Sequence, residues 1–242
     1  MKYLVSFGCS HTHGSMLDGI NGSSEYNVRN GFSGILAERF GYQLYNISKP
    51  GGSNQYIHRS VVEFLTKHYQ PNYEYLFLIN WTHRLRMELR YTEESFNRHV
   101  TLGDFTDYKS VPFTVGSDPA LFSDKYITKL LNHTPLLINA DLEAERWATW
   151  AYALQNTLEY MNIPYLMSNT CEALPHTSDN FIVCNKLDTK KYLEPFDTPN
   201  AMLHYLEGKG IPKTPCYHFR QEGHKLWADK LENRLRDLNY VK

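Results

Sequence analysis

Two polar residues near opposite ends of the chain have the types that nucleophilic catalysis needs. Ser10 lies in the segment Gly-Cys-Ser-His-Thr at residues 8–12, directly after a β-branched and aromatic run at residues 2–7. His218 lies immediately before the last predicted helix. A serine hydroxyl becomes a nucleophile when a base removes its proton, and histidine is the commonest such base. Taken alone, Ser10 is more typical of a residue that caps the segment after it.

Strands and helices alternate along most of the chain. The hydrophobic patterns predict strands over residues 2–7, 43–47, 73–79 and 164–168, and helices over 32–40, from about 53 onward, 139–161, 200–206 and 221–238. This alternation predicts an α/β fold, a three-layer α/β/α sandwich with a mostly parallel, doubly wound, flavodoxin-like sheet. Ligands of such sheets bind at the carboxyl ends of the strands, so the polar loops after the first three strands should meet at one site.

Both ends of the chain resemble the SGNH/GDSL hydrolases. In that family a Gly-Asp-Ser block follows the first strand, and an Asp-x-x-His block before the last helix is often followed by Gly-His and Trp-Ala. Here Gly-Cys-Ser ends at Ser10, and His218 is followed by Gly-His at 223–224 and Trp-Ala at 227–228. The resemblance implies a fold of the SGNH-hydrolase type. It also implies that Ser10 is the nucleophile and that His218 is the base that returns the proton to the leaving group.

The same resemblance implies where an oxyanion would bind. The family's donors are the amide of the serine, a glycine after the second strand and an asparagine after the third. These correspond to the Ser10 N–H, the Gly52 N–H and the Asn80 side chain. The residues assigned to substrate binding are His11, Asn54, Trp81 and Arg84. Asn54 is also an alternative to Asn80.

Three positions depart from the family pattern. Cys9 replaces the Asp of Gly-Asp-Ser, which is not the proton acceptor. Pro215 replaces the Asp three residues before His218 and cannot orient its imidazole, so that ring must use a backbone carbonyl, another carboxylate or no partner. The third block, Ile-Asn-Trp-Thr at 79–82, lacks the Gly-x-Asn-Asp form. The chain looks like a divergent group common in tailed phages, which implies no settled substrate.

Two functions from different classes follow from these residues. The first is an esterase or deacylase that cleaves an O-acyl group of a small molecule or carbohydrate through an acyl-Ser10 intermediate, with no metal or organic cofactor. The second is a catalytically inactive protein of the same fold that holds a carbohydrate or nucleotide in the same cleft. Pro215 favours the second.

Several of these residues also have ordinary structural interpretations. His11 and His13 could form a metal site with Cys9, His218 and His224, but an i, i+2 pair in a loop is more typical of polar surface groups, so no metal is predicted. His224 is interpreted as a structural histidine that hydrogen-bonds a neighbouring loop, and Cys9 as a packed, inert thiol. Trp81 is as consistent with the core as with substrate binding.

The bulk composition excludes some partners. Lys and Arg number 25 against 26 Asp and Glu, so no overall positive field favours nucleic acid, and nucleic-acid binding is not expected. No run approaches the roughly 20 apolar residues of a membrane span, and the N-terminus has no secretory apolar region. The 4 cysteines show no C-x-x-C spacing and are expected to be free thiols. Together these features predict a cytoplasmic protein, within a bacterial host if the chain is phage-encoded.

The region 83–138 breaks the alternating pattern. Residues 84–91 are consistent with a ribbon or the start of a helix, and a stretch rich in Gly, Asp, Thr, Ser and Pro follows. So long an irregular connection is usually functional or mobile. The chain 1–242 is therefore expected to be one domain with an insertion or lid at about 83–138. The sequence does not indicate an oligomeric state.

Overall fold

The computed structural model describes residues 1–17, 19, 24–91, 109–114, 139–177 and 180–242, and labels below number the described elements in chain order. The strands are β1 (Lys2–Phe7), β2 (Gln43–Asn46), β3 (Glu74–Trp81), β4 (Arg86–Tyr91), β5 (Lys109–Thr114) and β6 (Tyr165–Asn169). Four of them form a parallel sheet in the order β2-β1-β3-β6. The predicted parallel sheet is confirmed, with the N-terminal strand at its centre.

Helices surround this sheet. They are α1 (Ser10–His13), α2 (Glu25–Asn30), α3 (Phe32–Phe40), α4 (Asn54–Lys67), α5 (Ala140–Tyr160), α6 (Phe181–Cys184), α7 (Met202–Gly208) and α8 (Gln221–Asp237), with a 3-10 turn at Thr198–Asn200. Capping residues set several helix ends: the Ser53 hydroxyl caps α4, the Asn139 side chain caps α5, and Gly41 ends α3 with φ +67°. The short helix α7 begins at Met202 rather than at residue 200.

Apolar side chains alternate between the two faces of the sheet. On β3, Phe77 and Ile79 join one buried cluster, which α4 and α5 cover with residues such as Phe64 and Trp147. Leu76 and Leu78 of the same strand join the opposite cluster, which α3, α7 and α8 cover. Because both faces are buried, the central strands β1 and β3 are apolar over most of their length, whereas the edge strand β2 is partly exposed. The fold is therefore a three-layer α/β/α sandwich, as predicted.

Strand β3 is longer than the hydrophobic run predicts. Asn80 and Trp81 continue the strand and pair with Ser168 and Asn169 of β6. Asn80 is polar but keeps its hydrogen bonds inside the sheet, since its Oδ1 accepts from Ser168 Oγ at 2.7 Å. The expectation that Asn80 and Trp81 belong to a loop is wrong for this reason.

Only part of the predicted insertion at 83–138 falls within the described residues. There β4 and β5 form an antiparallel ribbon, so of the two interpretations of residues 84–91 the ribbon is correct. The rest of that insertion lies outside the described residues. Within the part of the chain that the structure describes, no helix is both long and apolar enough to cross a membrane.

Close contact between α2 and α3 depends on Gly34. A Cβ atom at this position would lie 2.2 Å from the carbonyl oxygen of Arg29 and 2.5 Å from that of Val28. Gly34→Ala is therefore expected to lower the free energy of unfolding by about 1–3 kcal/mol, because backbone atoms must move apart. Urea unfolding followed by circular dichroism measures this loss.

Gly208→Ala is the matched control for Gly34→Ala. Gly208 is the last residue of α7, and a Cβ atom there would have no neighbour within 4 Å. This variant is expected to be as stable as the wild type or more stable by up to about 1 kcal/mol. Equal unfolding midpoints for Gly34→Ala and the wild type would show that the α2–α3 contact is not as close as described.

Candidate active site

Ser10 lies at the carboxyl edge of the central strand. It is the first residue of α1, a single helical turn that is separated from the end of β1 by two residues. The chain turns sharply here because Gly8 has no side chain: a Cβ there would lie 2.1 Å from Thr12 Oγ1. Ser10 is 8% exposed. The segment predicted as a loop is thus a one-turn helix, and it holds Ser10 at a fixed place.

His218 lies in a tight turn directly before α8. The turn is closed by the N–H of Thr214, which donates to the His218 carbonyl at 2.8 Å, and Tyr217 adopts a left-handed φ of +65°. The imidazole of His218 stacks on that of His11, with ring centroids 4.6 Å apart and planes 30° apart. Because His11 follows Ser10 in the chain, the structure brings the predicted nucleophile and base to the same edge of the sheet.

The His218 ring is held largely buried and uncharged at pH 7. Its Nδ1 lies 3.4 Å from Cys216 Sγ, whereas its Nε2 is buried and has no hydrogen-bond partner. Burial, followed by the neighbouring His11, lowers the pKa of His218 to about 4. None of the groups that shift this pKa is a carboxylate. With Pro215 in the usual aspartate position, Cys216 is the residue that contacts Nδ1.

The hydrogen bond between Ser10 Oγ and His218 Nε2 is absent from the described structure, since that nitrogen has no partner. Catalytic hydrogen bonds of this kind are often long or misaligned without substrate and tighten in the complex. The arrangement therefore places the two groups in one cluster without a formed Ser-His pair.

Two further histidines lie beside this cluster. His224, in the first turn of α8, accepts a hydrogen bond from the Phe32 N–H at 3.2 Å, so it is structural as predicted, although its partner begins α3 rather than lying in a loop. Burial, with smaller effects of His11 and His218, lowers the pKa of His224 to about 3. At pH 7 this part of the core therefore holds neutral rings.

His11 and His13 are buried, so their interpretation as surface groups is wrong. His13 Nδ1 lies 3.0 Å from the Ser48 carbonyl oxygen, and burial lowers its pKa. His11 Nδ1 has no hydrogen-bond partner. No three His, Cys, Asp or Glu side chains among the described residues are grouped as metal ligands.

Two predicted oxyanion donors are occupied within the protein. The Gly52 N–H donates to the Lys49 carbonyl at 2.8 Å. The Asn80 amide donates to the Phe7 carbonyl at 3.2 Å inside the sheet. Neither group is a free donor in this structure, which corrects the expectation for both. The Ser10 N–H is the first of α1 and has no acceptor within its own helix.

Asn54, the alternative to Asn80, joins two of the predicted loops. Its Oδ1 accepts from the Thr82 N–H at 2.8 Å and its Nδ2 donates to the Thr82 carbonyl at 3.2 Å. The loop after β2 also contacts the loop after β1, where the Lys49 N–H donates to the Gly8 carbonyl at 3.1 Å. The three loops thus meet at one edge, and Asn54 serves to hold them together.

The residues assigned to substrate binding divide into two groups. Trp81 has no exposed surface and packs against Trp147 in the core, so the structure supports its core interpretation. Arg84 lines a cavity of about 250 Å³ together with Asn54 and Arg86. His11 stacks on the candidate base. Of these residues, Arg84 and Asn54 border open space that a ligand can enter.

Sequence analysis missed Cys171, which follows β6 at the same edge of the sheet. Its Sγ lies 3.4 Å from Thr82 Oγ1, which in turn accepts from Arg86 Nη1 at 3.1 Å. The Cys9 thiol, aided by the Arg86 charge, lowers the pKa of Cys171 to about 6, while the pKa of buried Cys9 rises to about 11. Its position directly after a predicted strand was the signal that could have identified it.

Comparisons with protein-family models and with curated proteins give no match. Among solved structures, the chain is similar to a psychrotrophic esterase EstA from Pseudoalteromonas sp., with 12% identity over 98% of each chain and a TM-score of 0.48. A member of the lipolytic protein G-D-S-L family from Veillonella parvula shares 13% identity over 96% of this chain and 97% of its own, with a TM-score of 0.41. An acetyl xylan esterase, Est2A, from Butyrivibrio proteoclasticus shares 14% identity over 100% of this chain and 65% of its own, with a TM-score of 0.44. At such low identity, activity has to be argued from the site itself.

Proposed function

We propose that the protein is a serine ester hydrolase of the SGNH/GDSL type that cleaves an O-acyl ester of a small molecule or carbohydrate. The observation that supports this most is the stacking of His218 on His11, at 4.6 Å between ring centroids, because it places a neutral imidazole beside the residue that follows Ser10. A nucleophile and a base from opposite ends of the chain then share one edge of a parallel sheet, where such folds bind ligands.

In this mechanism Ser10 Oγ attacks the ester carbonyl carbon and His218 Nε2 takes the hydroxyl proton. The carbon–oxygen bond to the alcohol breaks, the proton passes to the departing alcohol, and an acyl-Ser10 ester remains. Water, deprotonated by the same imidazole, then releases the acid and restores Ser10. The Ser10 N–H is the oxyanion donor that the described structure leaves available, so substrate binding must supply or uncover another donor.

A second function is supported by a different observation. Among the described residues, the groups named as shifting the pKa of His218 include no carboxylate, and the Gly52 and Asn80 donors are occupied. An imidazolium without a carboxylate partner is poorly stabilised, and an incomplete oxyanion site slows acyl transfer. The alternative is therefore an inactive protein of the same architecture that binds a carbohydrate or nucleotide at this edge.

Reaction of the intact protein with a fluorophosphonate, followed by peptide mass spectrometry, separates the two functions. If the protein is a hydrolase, the fluorophosphonate should form a covalent adduct on Ser10, because the reagent reacts only with an activated and accessible hydroxyl. Ser10→Ala should not be labelled. Wild type that remains unlabelled while it is folded would refute the hydrolase and favour the binding protein.

The pH dependence of kcat/KM should reflect the unusual environment of His218. The base must be neutral, so activity is present above its pKa and is lost as pH falls through that value. With a pKa of about 4, activity on p-nitrophenyl acetate should stay near its maximum down to about pH 5 and fall by half near pH 4. An ordinary histidine would give a midpoint near 6.5.

Cys171 provides the control for this pH profile, because its thiol titrates at about 6. The profile should be recorded for the wild type and for Cys171→Ser. A midpoint near 6 that disappears in Cys171→Ser belongs to the thiol. A midpoint near 6.5 that persists in this variant would contradict the buried, neutral His218.

A further inference from the structure

A cavity of about 250 Å³ beside the candidate active site is rich in arginine. Its described wall includes Arg84, Arg86 and Arg146, and a single acid, Glu143. Glu143 forms an ion pair with Arg146 at 2.5 Å. Two guanidinium charges in this wall are therefore not matched by an acid of the same wall.

Arg84 is the clearest unmatched donor. Its Nε is buried and has no hydrogen-bond partner. Glu172 approaches the main chain of Arg84 rather than the guanidinium: its Oε1 accepts from the Arg84 N–H at 2.6 Å, and its Oε2 lies 3.5 Å from His83 Nε2. A buried N–H without an acceptor is unfavourable, and a ligand oxygen would satisfy it once the Arg84 side chain turns into the cavity.

Arg86 connects the cavity to the candidate active site. Its Nη1 donates to Thr82 Oγ1 at 3.1 Å, and its charge acts on His218, Cys9 and Cys171. Arg86 thus interacts with the sulfur atoms of Cys9 and Cys171 as well as lining the cavity. Arg86 therefore lines the cavity and also acts on His218 of the candidate active site.

The remaining walls fit an organic anion. Asn54 and Gln55, the first two residues of α4, line the cavity, and the start of a helix favours negative charge. Trp150 supplies a flat apolar wall whose orientation is fixed by stacking on His58 at 5.6 Å. The volume exceeds what a single small ion needs.

We propose that this cavity binds a carboxylate or phosphate group carried by an organic ligand of about monosaccharide size. Guanidinium groups match both kinds of oxyanion, since their N–H donors pair with two oxygens at once. That this ligand is the alcohol part of the ester substrate rests on the proposed hydrolase. The proposal that the cavity binds an anion is independent of the proposed hydrolase.

Calorimetric titration of the full chain with glucuronate, glucose 6-phosphate and glucose tests the site. At least one of the two anions should bind about tenfold more tightly than glucose, and their relative affinities distinguish carboxylate from phosphate. Arg84→Gln and Arg146→Gln should each weaken the tighter anion by about tenfold. Arg146 is half exposed, so its variant tests the site even if Arg84→Gln does not fold.

Arg29→Gln is the matched control, because Arg29 pairs with Glu25 on the exposed face of α2 and does not line the cavity. Its affinity for the anions should equal that of the wild type. Equal binding of glucose and both anions, no binding of any anion, or unchanged affinity in Arg146→Gln would overturn the proposal. None of these ligands contains an acyl ester, so anion binding without labelling of Ser10 would refute the hydrolase alone.

Discussion

Ser10→Ala is expected to lower kcat/KM for p-nitrophenyl acetate by at least about 10³-fold. A serine that forms the acyl-enzyme cannot be replaced by the remaining groups, and loss of such a nucleophile removes nearly all chemistry beyond binding and oxyanion stabilisation. The same loss should appear with acetylated sugars. Release of p-nitrophenol, compared with release of acetate from the sugars, measures both.

Ser48→Ala is the matched control for Ser10→Ala. Ser48 is 6% exposed, close to the 8% of Ser10, and lies in the loop after β2 at the same edge of the sheet. Its hydroxyl donates to the Ser6 carbonyl at 3.4 Å and takes no part in the proposed chemistry. Activity should survive in Ser48→Ala. Equal activity of Ser10→Ala and the wild type, with both folded by circular dichroism, would remove Ser10 from the mechanism.

The sheet and its helices could be predicted from the sequence because each is specified by residues that are close together in the chain. A run that is apolar at successive positions indicates a strand covered on both faces, and β1 and β3 bury side chains on both sides as that pattern requires. Helix boundaries followed from single capping residues such as Ser53 and Asn139. In each case the deciding residues lie within a few positions of each other in the chain.

The wrong predictions concern residues whose environment is set by a partner far away in the sequence. Asn80 was assigned to a loop because it is polar, but Ser168 of β6 satisfies its side chain and lets the strand continue. His11 was interpreted as a surface group because nothing in its neighbourhood shows that His218 will stack on it. The occupied Gly52 N–H is different, because its acceptor, the Lys49 carbonyl, is only three residues away in a Pro-Gly-Gly turn. The sequence of this turn was therefore sufficient to predict that the Gly52 N–H bonds to the Lys49 carbonyl.

Some predictions from the sequence are not tested by the structure. The catalytic roles of Ser10 and His218, the single-domain organisation of 1–242, the cytoplasmic location and the grouping with phage proteins stay predictions. The insertion at 83–138 borders the site through Arg84 and Arg86, which precede and begin β4. Its role therefore depends on how the cavity binds ligands, which the titration measures.

His218→Ala should lower kcat by about 10²–10⁴-fold, the usual contribution of a general base, because the variant lacks the imidazole proposed to take the Ser10 proton. In the wild type this ring stacks on His11 and its Nε2 has no hydrogen-bond partner. Removal of the ring also leaves space beside His11. Added imidazole is therefore expected to enter that space and restore part of the activity in a saturable manner.

Imidazole rescue separates a base from a residue that only supports the fold. A structural loss would not be reversed by a small buffer base, and it would lower the unfolding temperature together with activity. His204→Gln is the control, since His204 lies on α7, is half exposed beside Glu207 and has no role in the proposed chemistry. Its activity and its response to imidazole should match the wild type. If His218→Ala retains wild-type kcat, proton transfer does not pass through this ring, and His218 is not the general base.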